Sequence, residues 1–331
     1  MSYKINILPS GHQFEAETHE SVLEAALRSG LNLSYHCNTG SCGECKARVV
    51  DGVVETCHHY DFVIPEAEKL RNNVLLCSVS ARSDLVVEAM EALAAKDIPL
   101  QTISVKVAKV EFIGEHNLVL HLRTPRSKTL RFLAGQYVEL RSADLPAMRF
   151  YVASCPCNGM IIQLHLQRES NNPFIAHVFQ GIQVGQSLEL VGPYGEFTLN
   201  EQSQRPIVMV AQDIDFAPIK SLIEHAIALD LTQSMYLFRL SGKGKGHYQS
   251  NYCRAWEDAL DCFIYRPFEL TPLDSGKQQY TTAIDYVLGR SPIETEISLY
   301  LSGPQPMLAA FTSAFTARGT PRSQIYTAAS L

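Results

Sequence analysis

Four cysteines stand out by their spacing. Cys37, Cys42 and Cys45 lie in the loop CNTGSCGEC as C-x4-C-x2-C, and Cys77 follows the apolar run Val74-Leu75-Leu76. Thiolates set out this way can converge on two bridged irons from one tight loop and one distant strand. Gly40 and Gly43 let backbone N–H groups approach the sulfurs, where hydrogen bonds stabilise added negative charge, and small Ser41 keeps that approach open. Zinc cages favour two separated C-x2-C knuckles, and only one such pair occurs here. The spacing therefore predicts a [2Fe-2S] cluster with Cys37, Cys42, Cys45 and Cys77 as ligands. Such a site carries single electrons at a potential of roughly -400 mV.

Other reactive side chains carry weaker signals. Cys57, Cys155, Cys157, Cys253 and Cys262 are scattered, and Cys155-Pro156-Cys157 lacks the C-x-x-C redox spacing, so all five are expected to be reduced, mostly buried thiols. His58 and His59 are adjacent and would point to opposite faces of a strand, which favours a solvated loop over a metal site. The basic loop SGKGKG, Ser241 to Gly246, lacks the P-loop form and reads as a solvated turn. Trp256, Tyr248, Tyr252 and Tyr265 are expected to pack rather than to form a stacking platform.

Composition narrows the partners. The 331 residues are 46% hydrophobic with a formal charge of -6, which suits a multidomain globular chain and argues against nucleic acid as a partner. The sequence has no apolar run long enough for a membrane span, and MSYKINILPSG has no signal-peptide pattern, so a cytoplasmic location is expected. In that compartment clustered cysteines point to metal or redox chemistry rather than disulfides.

The elements that must position the cysteines follow from periodicity. Ile5 to Leu8 and Gln13 to Glu17 read as strands turning at Ser10-Gly11, and Glu20 and Ser21 sit at the cap of a helix that Gly30 stops. Val49-Val50 and Val53-Val54 flank Asp51-Gly52 as a hairpin, and EALAAK reads as a helix ended by Pro99. From Ile103 to Leu199 short alternating strands separated by Gly and Pro suit an antiparallel β-barrel. From Pro206 a buried strand, Ile207 to Ala211, alternates with helices over Pro218 to Leu229 and Met307 to Ala317, as in a Rossmann-like parallel α/β domain.

Several segments then match a known family. LAGQY (Leu133 to Tyr137), R-x-Y-x-A-S (Arg149 to Ser154), HVF (His177 to Phe179), GPYGEF (Gly192 to Phe197), APIKSLIEH (Ala217 to His225) and GPQPM (Gly303 to Met307) resemble the ferredoxin–NADP reductase-type iron–sulfur flavoproteins. Within that family the opening segment and the linker DIPLQT look most like the reductases of CDP-6-deoxy-hexulose 3-dehydrase, also called CDP-6-deoxy-glucoseen reductases, with oxygenase reductase components as relatives. The resemblance implies a plant-type [2Fe-2S] ferredoxin β-grasp domain over 1–95, an FAD-binding-type β-barrel over 100–202 and an NAD(P)-binding-like α/β domain over 203–331. It also implies a relay from NAD(P)H through FAD and the cluster to a partner.

Carried onto this sequence, the flavin residues are Arg149 for the pyrophosphate, Tyr151 against the flavin, then Val152, Ser154 and His177. Val152 stands where the family has a hydroxyl, Ile175 where a Ser or Thr meets the pyrophosphate, and Asn172 where a glycine is common. Each removes a contact, so FAD is expected to bind, but weakly. The nicotinamide residues would be Pro218, Ser302, Gly303 and Pro304. The glycine-rich turn is replaced by Gln212-Asp213-Ile214-Asp215, Ser302 replaces a cysteine, and the tail TAASL lacks the terminal aromatic. Two aspartates place negative charge where phosphates would bind.

The expected function is electron transfer through the cluster to an acceptor such as an oxygenase or dehydratase component, with direct NAD(P)H oxidation lost and a separate donor protein supplying electrons. The alternatives are an NAD(P)H:acceptor reductase with a divergent nicotinamide site, and a non-catalytic interaction or redox-sensing protein on the same scaffold.

Overall fold

The structure is a computed structural model and describes residues 1–142, 145–169, 172–242, 244–270, 280–292 and 296–331. Lys243 of the basic loop lies outside the described residues.

The first sheet gathers β1 (Ser2–Leu8), β2 (Gln13–Glu17), β3 (Lys46–Asp51), β5 (Asn73–Leu75) and β7 (Leu85–Glu88) in the order β2-β1-β7-β3-β5. A separate ribbon pairs β4 (Val54–Thr56) with β6 (Val79–Ala81). Helix α1 (Val22–Arg28) packs its apolar face onto this core. Its start is fixed by a capping box: the Ser21 hydroxyl accepts the Glu24 N–H while Glu24 accepts the Ser21 N–H. A one-turn helix, α2 (Glu66–Lys69), precedes β5.

The Asp51-Gly52 turn exists, with Gly52 at φ +99°. It does not join a hairpin. β3 pairs with β5 and β7, whereas β4 pairs with β6, so the turn hands the chain from one sheet to another. EALAAK is likewise not an α-helix but a single tight turn, Ala95–Asp97. The Asp97 carboxylate accepts the N–H groups of Leu93 and Ala94 at 3.1 and 2.9 Å, and this local competition with helical hydrogen bonds wins.

The second sheet is antiparallel and six-stranded: β8 (Gln101–Ile113), β9 (Asn117–Arg123), β10 (Tyr137–Ser142), β11 (Leu145–Tyr151), β12 (Ile161–Gln167) and β13 (Ser187–Tyr194), ordered β11-β10-β13-β8-β9-β12. It curls until its edges meet at the Val152–Leu164 bridge. Alternate apolar residues fill the interior, and α3 (Pro173–Gly181) covers one end with Phe174, Ile175 and Val178.

The third sheet is wholly parallel: β14 (Ile207–Gln212), β15 (Met235–Gly242), β16 (Phe263–Leu270), β17 (Ser298–Gly303) and β18 (Ile325–Ala329), ordered β16-β15-β14-β17-β18. Helices α4 (Phe216–Ala228), α5 (Ser250–Ala259), α6 (Thr281–Leu288) and α7 (Gln305–Ala317) complete it. The strand order reverses between β14 and β17, so the crevice at their carboxyl ends, between Gln212 and Ser302-Gly303, is where such a sheet binds ligands. Among the described residues no helix is long and apolar enough to cross a membrane.

Candidate metal centre and nucleotide site

The loop after α1 brings three of the four cysteines together, and the turn after β5 brings the fourth. They meet as two pairs rather than one set of four: the sulfurs of Cys37 and Cys42 lie 3.1 Å apart and those of Cys45 and Cys77 lie 3.3 Å apart. No three His, Cys, Asp or Glu side chains among the described residues converge on a single ion. Two pairs of thiols fit two irons, each needing two protein sulfurs alongside bridging sulfide.

The electrostatics suit thiolate ligands. Burial opposes ionisation of Cys37, but hydrogen bonds from the Thr39 N–H, the Cys42 thiol, the Ser41 hydroxyl and the Cys42 N–H outweigh it and bring its pKa down to about 6. Cys77 falls to about 6 through its hydrogen bond with Cys45, against burial and with help from Ser78 and the Gly40 N–H. Cys45 moves upward because it shares that bond, and burial raises Cys42 despite the Glu44 N–H. The loop's N–H groups thus already point at sulfur, as ferredoxin-type loops require. This depends on glycine. Gly40 and Gly43 sit at φ +70° and +80°, and an added Cβ would come within 2.4 Å of Tyr60 and 2.3 Å of the Phe62 ring.

The neighbouring histidines do not join the site. His59 is exposed beside Asp61 at 3.2 Å, and His58 Nδ1 lies 3.4 Å from the Cys77 carbonyl. The barrel instead seats the loop: the Asn38 N–H donates to Arg126 O at 3.1 Å, and the Thr129 N–H donates to His36 O at 3.0 Å.

Residues 5–82 match the family described as the 2Fe-2S iron-sulfur cluster binding domain. The first domain is a [2Fe-2S] domain. Over its whole length the chain is similar to curated reductases. It is 28% identical to a CDP-6-deoxy-L-threo-D-glycero-4-hexulose-3-dehydrase reductase from Yersinia pestis, covering 98% of each chain. It is 26% identical to the reductase component of propane 2-monooxygenase from Rhodococcus jostii, covering 98% of this chain and 90% of that one. Its fold is that of the Amycolatopsis cytochrome P450 reductase GcoB, with a TM-score of 0.61, 23% identity and coverage of 99% and 98%. The chain therefore shares the fold of these proteins: a domain matching the 2Fe-2S family joined to an antiparallel barrel and a parallel α/β domain.

Within that architecture the flavin residues are dispersed. Arg149 and Tyr151 project from β11 beside Tyr137, whose ring stacks on Tyr194. The Arg149 guanidinium is exposed and 3.6 Å from the Glu139 carboxylate. The Tyr151 hydroxyl donates to Ala329 O at 3.0 Å. Val152 is fully buried at the strand bridge, where it offers no hydrogen bond. The Ser154 hydroxyl accepts the Gln163 N–H, and His177 lies 3.3 Å from the Gln186 amide. At the start of α3 the Asn172 side chain accepts the N–H groups of Phe174 and Ile175, both at 3.1 Å, occupying the donors that a pyrophosphate would use. Tyr151 separates two cavities. One, about 330 Å³, is walled by Tyr137, Phe197 and Tyr326; the other, about 70 Å³, lies against Asp215 and Leu331.

Of the expected nicotinamide residues, three lie together at the carboxyl end of β17 and one lies in α4. Pro218 lies in the first turn of α4, Ser302 and Gly303 end β17 beside Gln212, and Pro304 leads into α7. The Ser302 hydroxyl is fully buried and makes no hydrogen bond among the described residues. Asp213 adopts φ +45°, accepts the Gly242 N–H at 3.4 Å and lies 3.9 Å from Lys245. Asp215 is buried, accepts the Ser330 hydroxyl at 2.7 Å and has its pKa raised to about 6 by burial, which outweighs the Ser330 hydrogen bond and is reinforced by Asp213.

Sequence reasoning missed the residue that matters most here, Arg239. It is fully buried, with its guanidinium 3.7 Å from the Phe216 ring centroid and 5.0 Å from that of Tyr248. It donates to the carbonyls of Tyr248 and Asp213, and the Tyr248 hydroxyl in turn reaches His165 and Ile214 O. Its signal was a charge inside the apolar run Met235 to Leu240. Also missed was Lys220, buried in α4, which donates to Ala153 O and Gln163 and pairs with Glu224, fastening the α/β domain to the barrel. A fully apolar turn of helix interrupted by Lys with Glu four residues on would have flagged it.

Proposed function

We propose that the chain is a one-electron carrier in which Cys37, Cys42, Cys45 and Cys77 hold a [2Fe-2S] cluster serving a partner enzyme, an oxygenase or a dehydratase component. The observation that carries this reading is the convergence of four thiols as two pairs, ringed by N–H donors from Thr39, Gly40, Cys42 and Glu44. When bound, the cluster supplies exchange of one electron at a time. The protein orients the thiols, excludes bulk from the loop at Gly40 and Gly43, and fixes the loop on the barrel through His36 and Asn38.

FAD is the cofactor for which Arg149 and Tyr151 are suited, with Tyr151 lining the aromatic cavity of about 330 Å³ and both residues lining the smaller one. Asn172 and Val152 withdraw the phosphate and ring contacts, so its binding is weak. In this reading direct NAD(P)H oxidation is lost, because Arg239 packs between Phe216 and Tyr248 beneath the turn and two aspartates stand in it. A separate donor protein then supplies the electrons.

One observation favours a second reading, an NAD(P)H:acceptor reductase with a divergent site. A cavity of about 430 Å³ is lined by Arg168 and Lys245 as well as Glu115 and Asp213, and the two cations offer contacts to a nucleotide phosphate. Anaerobic visible spectra separate the two. Bleaching by dithionite but not by NADH or NADPH is expected; bleaching by either nicotinamide would establish the second reading.

A further inference from the structure

The loop that leaves β11 carries Cys155 and Cys157, which are joined by a disulfide. This corrects the expectation of reduced thiols at these positions. With one residue between the cysteines, the ring removes little freedom from an unfolded chain, so a role as a stabilising staple is a poor account of it. Its location is more informative. The Cys155 N–H donates to the Glu224 carboxylate at 3.0 Å, and Glu224 pairs with buried Lys220, tying the loop to the α/β domain. At the other end Gly159 O accepts the Thr124 hydroxyl at 3.0 Å and the Leu130 N–H at 3.3 Å. A Cβ on Gly159 would lie 2.8 Å from the Tyr35 hydroxyl of the cluster domain. The adjacent Thr129 N–H holds His36 O, next to the ligand Cys37. The disulfide therefore sits where all three domains meet.

The two sulfurs are not equivalent. Cys155 is buried and its sulfur is 3.2 Å from the Cys157 N–H, whereas Cys157 is partly exposed. An incoming thiolate reaches Cys157 Sγ, and the departing Cys155 thiolate is stabilised by that N–H. A monothiol joined to Cys157 would be expelled again by Cys155 one residue away. A dithiol completes the exchange with its own second sulfur.

We propose that Cys155 and Cys157 form a reversible thiol–disulfide exchange site for a dithiol reductant, and that opening it loosens the seat of the cluster loop on the barrel. The step balances: the dithiol is oxidised to its disulfide, the Cys155–Cys157 bond breaks, and two electrons and two protons pass to the two thiols. The inference stands apart from the identity of the cluster's donor and acceptor.

The test uses the full chain with its cluster, equilibrated anaerobically at graded ratios of reduced to oxidised dithiothreitol and quenched with N-ethylmaleimide. The tryptic segment Phe150 to Arg168 contains these two cysteines and no others. Two labels under reducing ratios, none under oxidising ratios, full reversal and unchanged cluster absorption are expected. Two labels at every ratio, or none at any, would overturn the exchange site. Amide hydrogen exchange over Tyr35 to Asn38 is expected to rise on reduction; equal rates in both states would overturn the coupling to the cluster loop. Cys157→Ser is expected to keep the cluster spectrum and take one label at every ratio.

Discussion

The loop from Cys37 to Cys45 and the turn from Gln212 to Asp215 pose the same problem to a backbone: N–H groups must face a negative ligand at close range. The first solves it with glycine at φ +70° and +80°, packed so tightly against Tyr60 and Phe62 that no side chain fits. The second has Asp213 at φ +45°, with the chain's own carboxylate on the Gly242 N–H and its own arginine in the adjacent space. A ligand site is kept by the side chains a sequence leaves out. Where the sequence supplies them instead, the fold survives: Arg239 packs between Phe216 and Tyr248 and donates to the Asp213 carbonyl beneath the turn.

The largest effect on this contrast is expected from Cys42→Ser. Losing one sulfur of a pair leaves an iron with a single protein thiolate, so iron content and visible absorption should collapse rather than decline. Cluster content equal to the native protein would mean that the pairing of Cys37 with Cys42 is not the ligand arrangement.

Asp215→Asn probes the closed turn. Unfolded, the carboxyl titrates near 3.8; folded, it titrates at about 6, because burial opposes its charge. Between these values the folded chain binds more protons than the unfolded one. The folded state is therefore favoured most below about pH 4, loses stability as pH rises through 6, and carries the full cost above that, at most about 3 kcal/mol. Asn removes this cost, so the variant should be more stable than the native chain at pH 7, with the difference vanishing near pH 4. Denaturant unfolding across that range gives the difference directly, and a pH-independent difference would show that Asp215 is solvated in the folded state.

Gly43→Ala tests the open loop by filling it. A Cβ at φ +80° and 2.3 Å from the Phe62 ring must displace the ring or the backbone, costing about 1–3 kcal/mol. Lower melting temperature with reduced iron per chain is expected; unchanged values would mean that Phe62 moves aside freely.

How much of this was legible follows the same contrast. The cluster loop could be read because its chemistry is local: three cysteines and two glycines within one segment, positioned by a helix whose capping region at Glu20-Ser21 is itself visible in sequence. The parallel and antiparallel sheets were legible from strand periodicity, while Asp51-Gly52 misled because a turn's residues do not say which strand comes back to pair. EALAAK misled because Asp97 could compete for the N–H groups of Leu93 and Ala94. The departures at Gln212 to Asp215 could be seen, but not what packs beneath them. Arg239 reaches the turn from a different strand, and its partners Phe216, Tyr248 and Asp213 are assembled only by the sheet. Cys155 and Cys157 lack a familiar spacing, and their position between domains is a property of the fold alone.

The smallest expected effect is also the sharpest for the contrast. Asp213→Gly relieves a left-handed conformation that aspartate holds at some cost, but it also deletes the hydrogen bond to the Gly242 N–H. The two changes oppose each other, and stability should move by no more than about 1 kcal/mol. The variant restores a glycine and removes a negative charge, the two features by which the turn departs from a phosphate-binding one. If the crevice is closed by Arg239 rather than by the turn, NADH should still leave the cluster oxidised in this variant. Bleaching of Asp213→Gly by NADH, in a protein whose native form does not respond, would place the whole barrier at one residue and make the packed arginine a bystander.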